Sequence, residues 1–128
     1  MSDIKSVLLV EDDRHIALAL RIRLSAAGYA VIIAPNVSNA LQAVSDAVPD
    51  IAVIDINLPD GNGIELMHAI AQQCREGKMT TVIMTASRKP GLRELAMQKG
   101  AAAFLEKPFP SRMLLDAITN HKSYHCAS

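Results

Sequence analysis

The chain has 128 residues, half of them hydrophobic and a fifth charged, which suits one compact domain rather than a disordered chain. Thirteen basic residues balance thirteen acidic ones, so no net charge draws the chain to nucleic acid or to an anionic membrane. No apolar run approaches the roughly 20 residues of a membrane span, and the opening MSDIKSVLLVEDD turns acidic too soon for a signal peptide, so the cytoplasm is the expected compartment.

The first apolar run is Val7–Val10. Ile16, Leu20 and Leu24 then recur every four residues as a helix stripe, and Gly28 stands where that helix should end. Val31–Ile33 is the second run. Asn36 suits an N-cap for a weaker helix over Val37–Ala47, with Ala40, Leu41 and Val44 as its apolar face. Pro49 and Asp50 lead into the third run, Ile51–Ile54. Ile64, Met67, Ile70 and Ala71 form the next stripe, with Gly77 beyond it. Val82–Met84 follows, then Leu92, Leu95 and Ala96, closed by Gly100. The fifth run, Ala103–Leu105, precedes a last stripe of Leu114, Ala117 and Ile118.

The runs are continuous rather than alternating, which suits strands buried on both faces of a parallel sheet. A strand–helix unit repeated five times implies an α/β fold with right-handed crossovers and helices on both faces. No linker or internal repeat divides residues 1–128, so a single domain is expected, with a core over about residues 5–121 and a frayed tail at 122–128. Cys74 and Cys126 form no CxxC pair and read as reduced thiols. His121, His125 and Cys126 offer too few ligands for a tail metal site. The six methionines read as core fillers.

Open parallel sheets bind ligands beyond the carboxyl ends of their strands. Glu11, Asp12 and Asp13 follow the first run, whereas Ala34 and Pro35 after the second are chemically quiet. Asp55 ends the third run, Thr85 the fourth, and Glu106 and Lys107 follow the fifth. Taken alone, Asp55 would read as a loop cap, Thr85 as a satisfied strand-end hydroxyl and Lys107 as a solvated lysine. Together they gather carboxylates, a hydroxyl and an ammonium at one edge. Clustered carboxylates repel unless they take up protons or meet a hard cation such as Mg²⁺. Thr85 and Lys107 favour the cation, because they add donors suited to a phosphoryl group. Asp55 can then act as a nucleophile toward phosphorus. Asp13 reads instead as the cap of the first helix, and D-G-N-G at 60–63 as a turn, because it lacks the lysine and spacing of a phosphate loop. Pro59 and Gly63 are expected to shape the loop after Asp55.

Four stretches in order, VLLVEDD, IAVIDINLPDGNG, VIMTAS and AFLEKPF, resemble the receiver domain of two-component response regulators, over Val7 to about Asn120. The resemblance implies a flavodoxin-like, doubly wound sheet of order 2-1-3-4-5 flanked by five helices. It implies that Asp55 is the phosphoacceptor, that Asp12 ligates Mg²⁺ (or Mn²⁺ in its place) with Glu11 helping through water, and that Asp55 and the Asn57 backbone carbonyl complete the metal set. Thr85 would hydrogen-bond the phosphoryl group, Lys107 would ion-pair with it, and Ala86 would leave it room. Lys107–Pro108 would be a cis peptide. Asn57 and Ser87 would flank the path of attacking water. Thr85 and Phe104 would carry the switch to a surface of the fourth helix, fifth strand and fifth helix. Phe104 lacks a tyrosine hydroxyl, so such a switch works by packing. Ala101, Ala102 and Ala103 stand where receivers of the OmpR class often carry acidic pairing residues, so the resemblance does not extend to an OmpR-style dimer.

On this reading the chain is a signalling module and not an enzyme. It receives its phosphoryl group from a sensor histidine kinase or histidine phosphotransfer protein and acts on an effector or output domain, without binding nucleic acid or membrane itself. The alternative is a Mg²⁺-dependent phosphohydrolase working through an aspartyl phosphate. Asp55-Ile56-Asn57 lacks the second carboxylate of the D-x-D motif of haloacid-type phosphatases, and no cap domain is evident. An organic cofactor such as FMN is not expected, because an acidic loop after the first strand repels its phosphate.

Overall fold

The computed structural model describes residues 4–73 and 79–127, with side chains up to Thr119. Cys74, Gly77 and the side chains of His121, His125 and Cys126 lie outside the described residues. The elements are β1 (Ser6–Val10), α1 (Arg14–Ala26), β2 (Ala30–Ala34), α2 (Val37–Asp46), β3 (Ile51–Asp55), α3 (Gly63–Gln73), β4 (Thr80–Thr85), α4 (Leu92–Gln98), β5 (Ala103–Glu106) and α5 (Ser111–Ala127). The helical backbone of α5 thus runs to Ala127. Between β3 and α3, Asn57–Leu58 pairs with Gly61–Asn62 in a small antiparallel hairpin, a feature too short for periodicity to reveal.

The five strands form one parallel sheet in the order β2-β1-β3-β4-β5, as expected. Successive side chains of a strand face opposite ways, so each continuous apolar run feeds two layers. Val7, Leu9, Val53, Val82, Met84 and Leu105 pack with Ala17, Leu20 and Leu24 of α1 and Leu114 and Ile118 of α5. Leu8, Val10, Ile54, Ile83 and Phe104 point the other way, into Ala40 and Val44 of α2, Ile64, Met67 and Ile70 of α3 and Ala96 of α4. Fully burying one such aliphatic side chain stabilises the fold by about 1.5–3 kcal/mol. Two-sided burial holds for the central strands and not for β2. This edge strand leaves Ala30 and Ile32 exposed. In α4 the expected stripe shrinks to buried Ala96 and half-buried Leu92, and Leu95 is exposed.

Local caps set the helix starts. The Asp13 carboxylate accepts from the His15 and Ile16 amides, and Asn36 accepts from Asn39 N–H at 2.7 Å. Gly28 and Gly100 follow α1 and α4 with φ of +100° and +112°, where a Cβ would be strained. α2 has a second cap from a distant segment. Asp60, in the hairpin turn, accepts from Val37 N–H at 2.7 Å and Ser38 N–H at 3.1 Å, one with each carboxylate oxygen. The loop after β3 is thereby tied to the start of α2. Its other end is fixed by Asn62, which accepts from the Ile64 and Glu65 amides, and by Gly63. The Gly63 amide donates to the Ile56 carbonyl at 2.7 Å, and a Cβ at Gly63 would lie 2.1 Å from the Asp55 carbonyl oxygen. Glycine is required there by closeness of backbone, not by a positive φ.

The hydrogen bond from the Val37 amide, opposed by desolvation and helped less by the Ser38 and Asp60 amides, holds the Asp60 carboxyl below its ordinary 3.8. A depressed pKa contributes stability that is present above the ordinary value and is lost as pH falls through the folded one. Asp60→Asn should therefore lower Tm near neutral pH, and the gap to wild type should close in acid, as thermal melts across pH would read. Gly63→Ala should destabilise by about 1–3 kcal/mol in urea unfolding, because backbone rather than a pliable side chain blocks the methyl group.

Candidate functional site

The sheet order reverses between β1 and β3, and the carboxyl ends of these neighbours carry Glu11 and Asp55. Both acids are buried, Glu11 at 2% exposure and Asp55 at 6%. Asp12 is exposed beside them, and one oxygen from each of the three lies within 4.8 Å of the others. Lys107, just beyond β5, reaches across the end of β4 to this cluster. Its ammonium donates to Glu11 Oε1 and, at 3.1 Å, to Asp55 Oδ2. Glu11 Oε2 accepts from the Asp13 amide at 3.1 Å, and Asp55 Oδ1 accepts a long 3.4 Å bond from Asn57 N–H.

Charge explains the arrangement. Burial pushes the Glu11 carboxyl up, against the hydrogen bonds from Lys107 and the Asp13 amide, and the nearby Asp55 charge adds to the rise. Burial alone would pull Lys107 down, but its hydrogen bonds to Glu11 and Asp55 outweigh it and leave the ammonium pKa raised. Three carboxylates against one ammonium leave room for further positive charge. Glu11, Asp12 and Asp55 offer oxygen donors only, the set a hard divalent cation prefers, so the residues fit Mg²⁺.

The other expected residues border this cluster. Thr85 is fully buried at the end of β4, and its hydroxyl accepts from the Ser87 amide at 3.0 Å. Its carbonyl accepts from the Lys107 amide at 2.8 Å. Ala86 follows it in the loop. Asn57 sits in the hairpin, with its amide turned to Asp55. The Lys107–Pro108 peptide is cis. Phe104 is buried one strand away from Thr85 and packs in the layer that holds Ile83 and Ala96.

Three features were not foreseen. Lys107 is bound to Glu11 as well as Asp55, so Glu11 serves the lysine directly. The Arg93 guanidinium lies over the Phe104 ring, 5.1 Å from its centroid. Arg88 bridges two loops, donating to the Lys107 carbonyl at 3.0 Å and lying 3.7 Å from Glu106. No short-range pattern announces these contacts, because each joins segments well separated in the chain.

Known proteins agree with the geometry. A family model described as the response regulator receiver domain matches residues 7–119. The chain is 36% identical over 112 residues to the C4-dicarboxylate transport transcriptional regulatory protein DctD of Pseudomonas aeruginosa, covering 88% of this chain and 24% of that protein. It is 35% identical over 113 residues to the transcriptional regulatory protein CpxR of Escherichia coli K12, covering 88% of this chain and 47% of that protein. The chain therefore spans less than half the length of these relatives. Among solved structures, a CheY-like receiver domain protein from Methanospirillum hungatei matches with TM-score 0.87 at 26% identity, over 98% of this chain and 100% of that one. The chemotaxis response regulator CheY4 of Vibrio cholerae matches with TM-score 0.84 at 27% identity, over 92% of this chain and 98% of that one. A phosphohydrolase is not favoured by any of these likenesses, and no helix among the described residues is long and apolar enough to cross a membrane. Sheet order, acidic cluster and family match agree: this chain belongs to the receiver domains of two-component response regulators.

Proposed function

We propose that Asp55 is the phosphoacceptor and that a sensor histidine kinase or phosphotransfer protein supplies its phosphoryl group in the cytoplasm. The observation that carries this reading is the Lys107 ammonium held between the buried Asp55 and Glu11 carboxylates. A buried carboxylate beside a fixed cation is a nucleophile with its charge-balancing partner already in place. One Asp55 oxygen attacks phosphorus, the bond from phosphorus to the donor imidazole breaks, and the electron pair leaves with the imidazole. Mg²⁺, held by Asp12, Asp55 and the Asn57 carbonyl with Glu11 behind them, would neutralise charge on the transferred group. Lys107 stays beside the acyl phosphate, Thr85 donates to it, and Ala86 leaves space for it. The chain is a phosphoacceptor and not an enzyme with a small substrate of its own.

The message then leaves through Thr85 and Phe104 toward α4, β5 and α5, and from there to an output domain or separate effector. Thr85 and Ile83 face the same side of β4, and Ile83 pairs with Phe104. A pull on Thr85 therefore changes the packing space available to Phe104. The donor protein docks over α1, next to Asp12. This helix exposes Leu18 and Ile22, one turn apart, among Arg14, Arg21 and Arg23 and no acidic residue. Apolar grooves of about 340 Å³ and 300 Å³ run along its two sides, the first reaching Lys107 and the second Glu11 and Asp12. That combination suits an apolar helical partner with an acidic rim.

Incubation with acetyl phosphate and Mg²⁺ should add one phosphoryl group by intact mass. Asp55→Asn should add none, and labelling that persists in this variant would sink the assignment. Ile22→Glu should leave labelling by acetyl phosphate unchanged while slowing transfer from the partner kinase about tenfold or more, the cost of truncating or charging an apolar docking anchor. Equal slowing with both donors would place the defect in the site and not in docking.

A further inference from the structure

Lys107 is anchored at three points. Its ammonium is held by Glu11 and Asp55, its amide donates to the Thr85 carbonyl, and its carbonyl accepts from Arg88 Nη2. The first two are formed by groups already assigned to the phosphoryl site. Arg88 has no such assignment. It stands three residues after Thr85, in the loop between β4 and α4 that also carries Ala86 and Ser87. Its side chain leaves that loop and reaches the β5–α5 connection, 19 residues on in sequence.

We infer that Arg88 is a positioning residue for Lys107. The inference rests on the reading of Lys107 as a phosphoryl-site residue. A lysine side chain has four rotatable carbons, so where its ammonium sits depends on how firmly its backbone is held. The amide of Lys107 is fixed from inside the sheet by β4. Its carbonyl lies beyond the sheet, and among the described contacts only the guanidinium of Arg88 holds it. Arg88 therefore closes the bracket that fixes the Lys107 backbone. It also joins the two loops that flank the phosphoryl group, so a movement of the Thr85 loop is passed to Lys107 through a guanidinium instead of through solvent. The planar fork suits this bridge, because one nitrogen can serve the carbonyl while the other faces Glu106. At 3.7 Å, with side chains 58% and 48% exposed, the Glu106 pair is too loose and wet to be the working contact.

The test compares Arg88→Met, Arg88→Lys and Glu106→Gln with the wild-type 128-residue chain. The first readout is the nitrogen-15 NMR signal of the Lys107 ammonium in unphosphorylated protein, which needs no phosphoryl transfer. The second is the rate of labelling by acetyl phosphate, with apparent Mg²⁺ affinity measured alongside. Arg88→Met should shift and broaden the Lys107 signal and slow labelling about fivefold, the scale of one exposed charge-assisted contact, with Mg²⁺ affinity unchanged. Arg88→Lys should recover most of both readouts, since an ammonium can still reach the carbonyl. Glu106→Gln should behave as wild type. A Lys107 signal or a labelling rate that Arg88→Met leaves unmoved overturns the inference, as does Glu106→Gln reproducing the loss. If the wild-type chain accepts no phosphoryl group, the phosphoacceptor reading is what fails, and the Lys107 signal still decides the role of Arg88.

Discussion

The ammonium of Lys107 between the carboxylates of Glu11 and Asp55 is the interaction on which the rest of the site depends. The topology makes it necessary. Placing β1 beside β3 brings two strand-end acids together below the surface, and neither can be left unpaired there. Removing one partner of a buried ion pair generally costs about 3–5 kcal/mol, because it leaves the other charge without compensation. One lysine beyond β5 meets the demand of both acids, and its side chain crosses the end of β4 to do so. A single cation thus ties the carboxyl ends of β1 and β3 to the segment beyond β5. On the proposed reading the same cation stands where transferred phosphoryl charge would develop, so stability and chemistry would draw on one group.

This arrangement connects chemistry to the two packed layers. β3 is buried throughout, and its side chains feed both cores up to the residue before Asp55. Ile54 lies in the layer with α2, α3 and α4, and Phe104 lies in the same layer. Close-packed interiors respond to displacement by repacking rather than by smooth deformation. On the proposed reading, a change at Thr85, which shares its side of β4 with Ile83, would be felt first in the layer beneath α4. The Arg93 guanidinium over Phe104 sits on that helix, so the aromatic ring has a polar cover as well as an apolar bed.

Sequence reading recovers what is local or repeated. The apolar runs, the glycines after α1 and α4, and the caps at Asp13 and Asn36 are each decided within a few residues, and each matches the structure. Asp55, Thr85 and Lys107 are legible for another reason: a parallel sheet delivers every strand end to one edge, so position in the chain gives position in space. Contacts between loops have no such rule. Asp60 caps α2, Arg88 reaches Lys107, and the Gly63 backbone abuts the Asp55 carbonyl, and none of these is written in a periodicity. The exposure of Ile32 and Leu95 is hidden for a related reason. A hydrophobic residue at the right period looks the same whether the neighbouring element covers it or stops short.

Glu11 shows how structure refines a role that the family resemblance assigns loosely. The resemblance gives it to the metal, with water between. Here one of its oxygens accepts from the Lys107 ammonium and the other from the Asp13 amide, so each oxygen already has a partner within the protein. Asp12 is exposed beside it, and Asp55 Oδ1 has only the long bond from Asn57. A cation approaching this edge meets the exposed Asp12 carboxylate and the weakly bonded Asp55 Oδ1 before the buried Glu11. These contacts support the proposed arrangement, in which Asp12 and Asp55 would ligate the ion directly and Glu11 would stand at one remove. Glu11 holds Lys107 in place beside Asp55, and its burial suits that task.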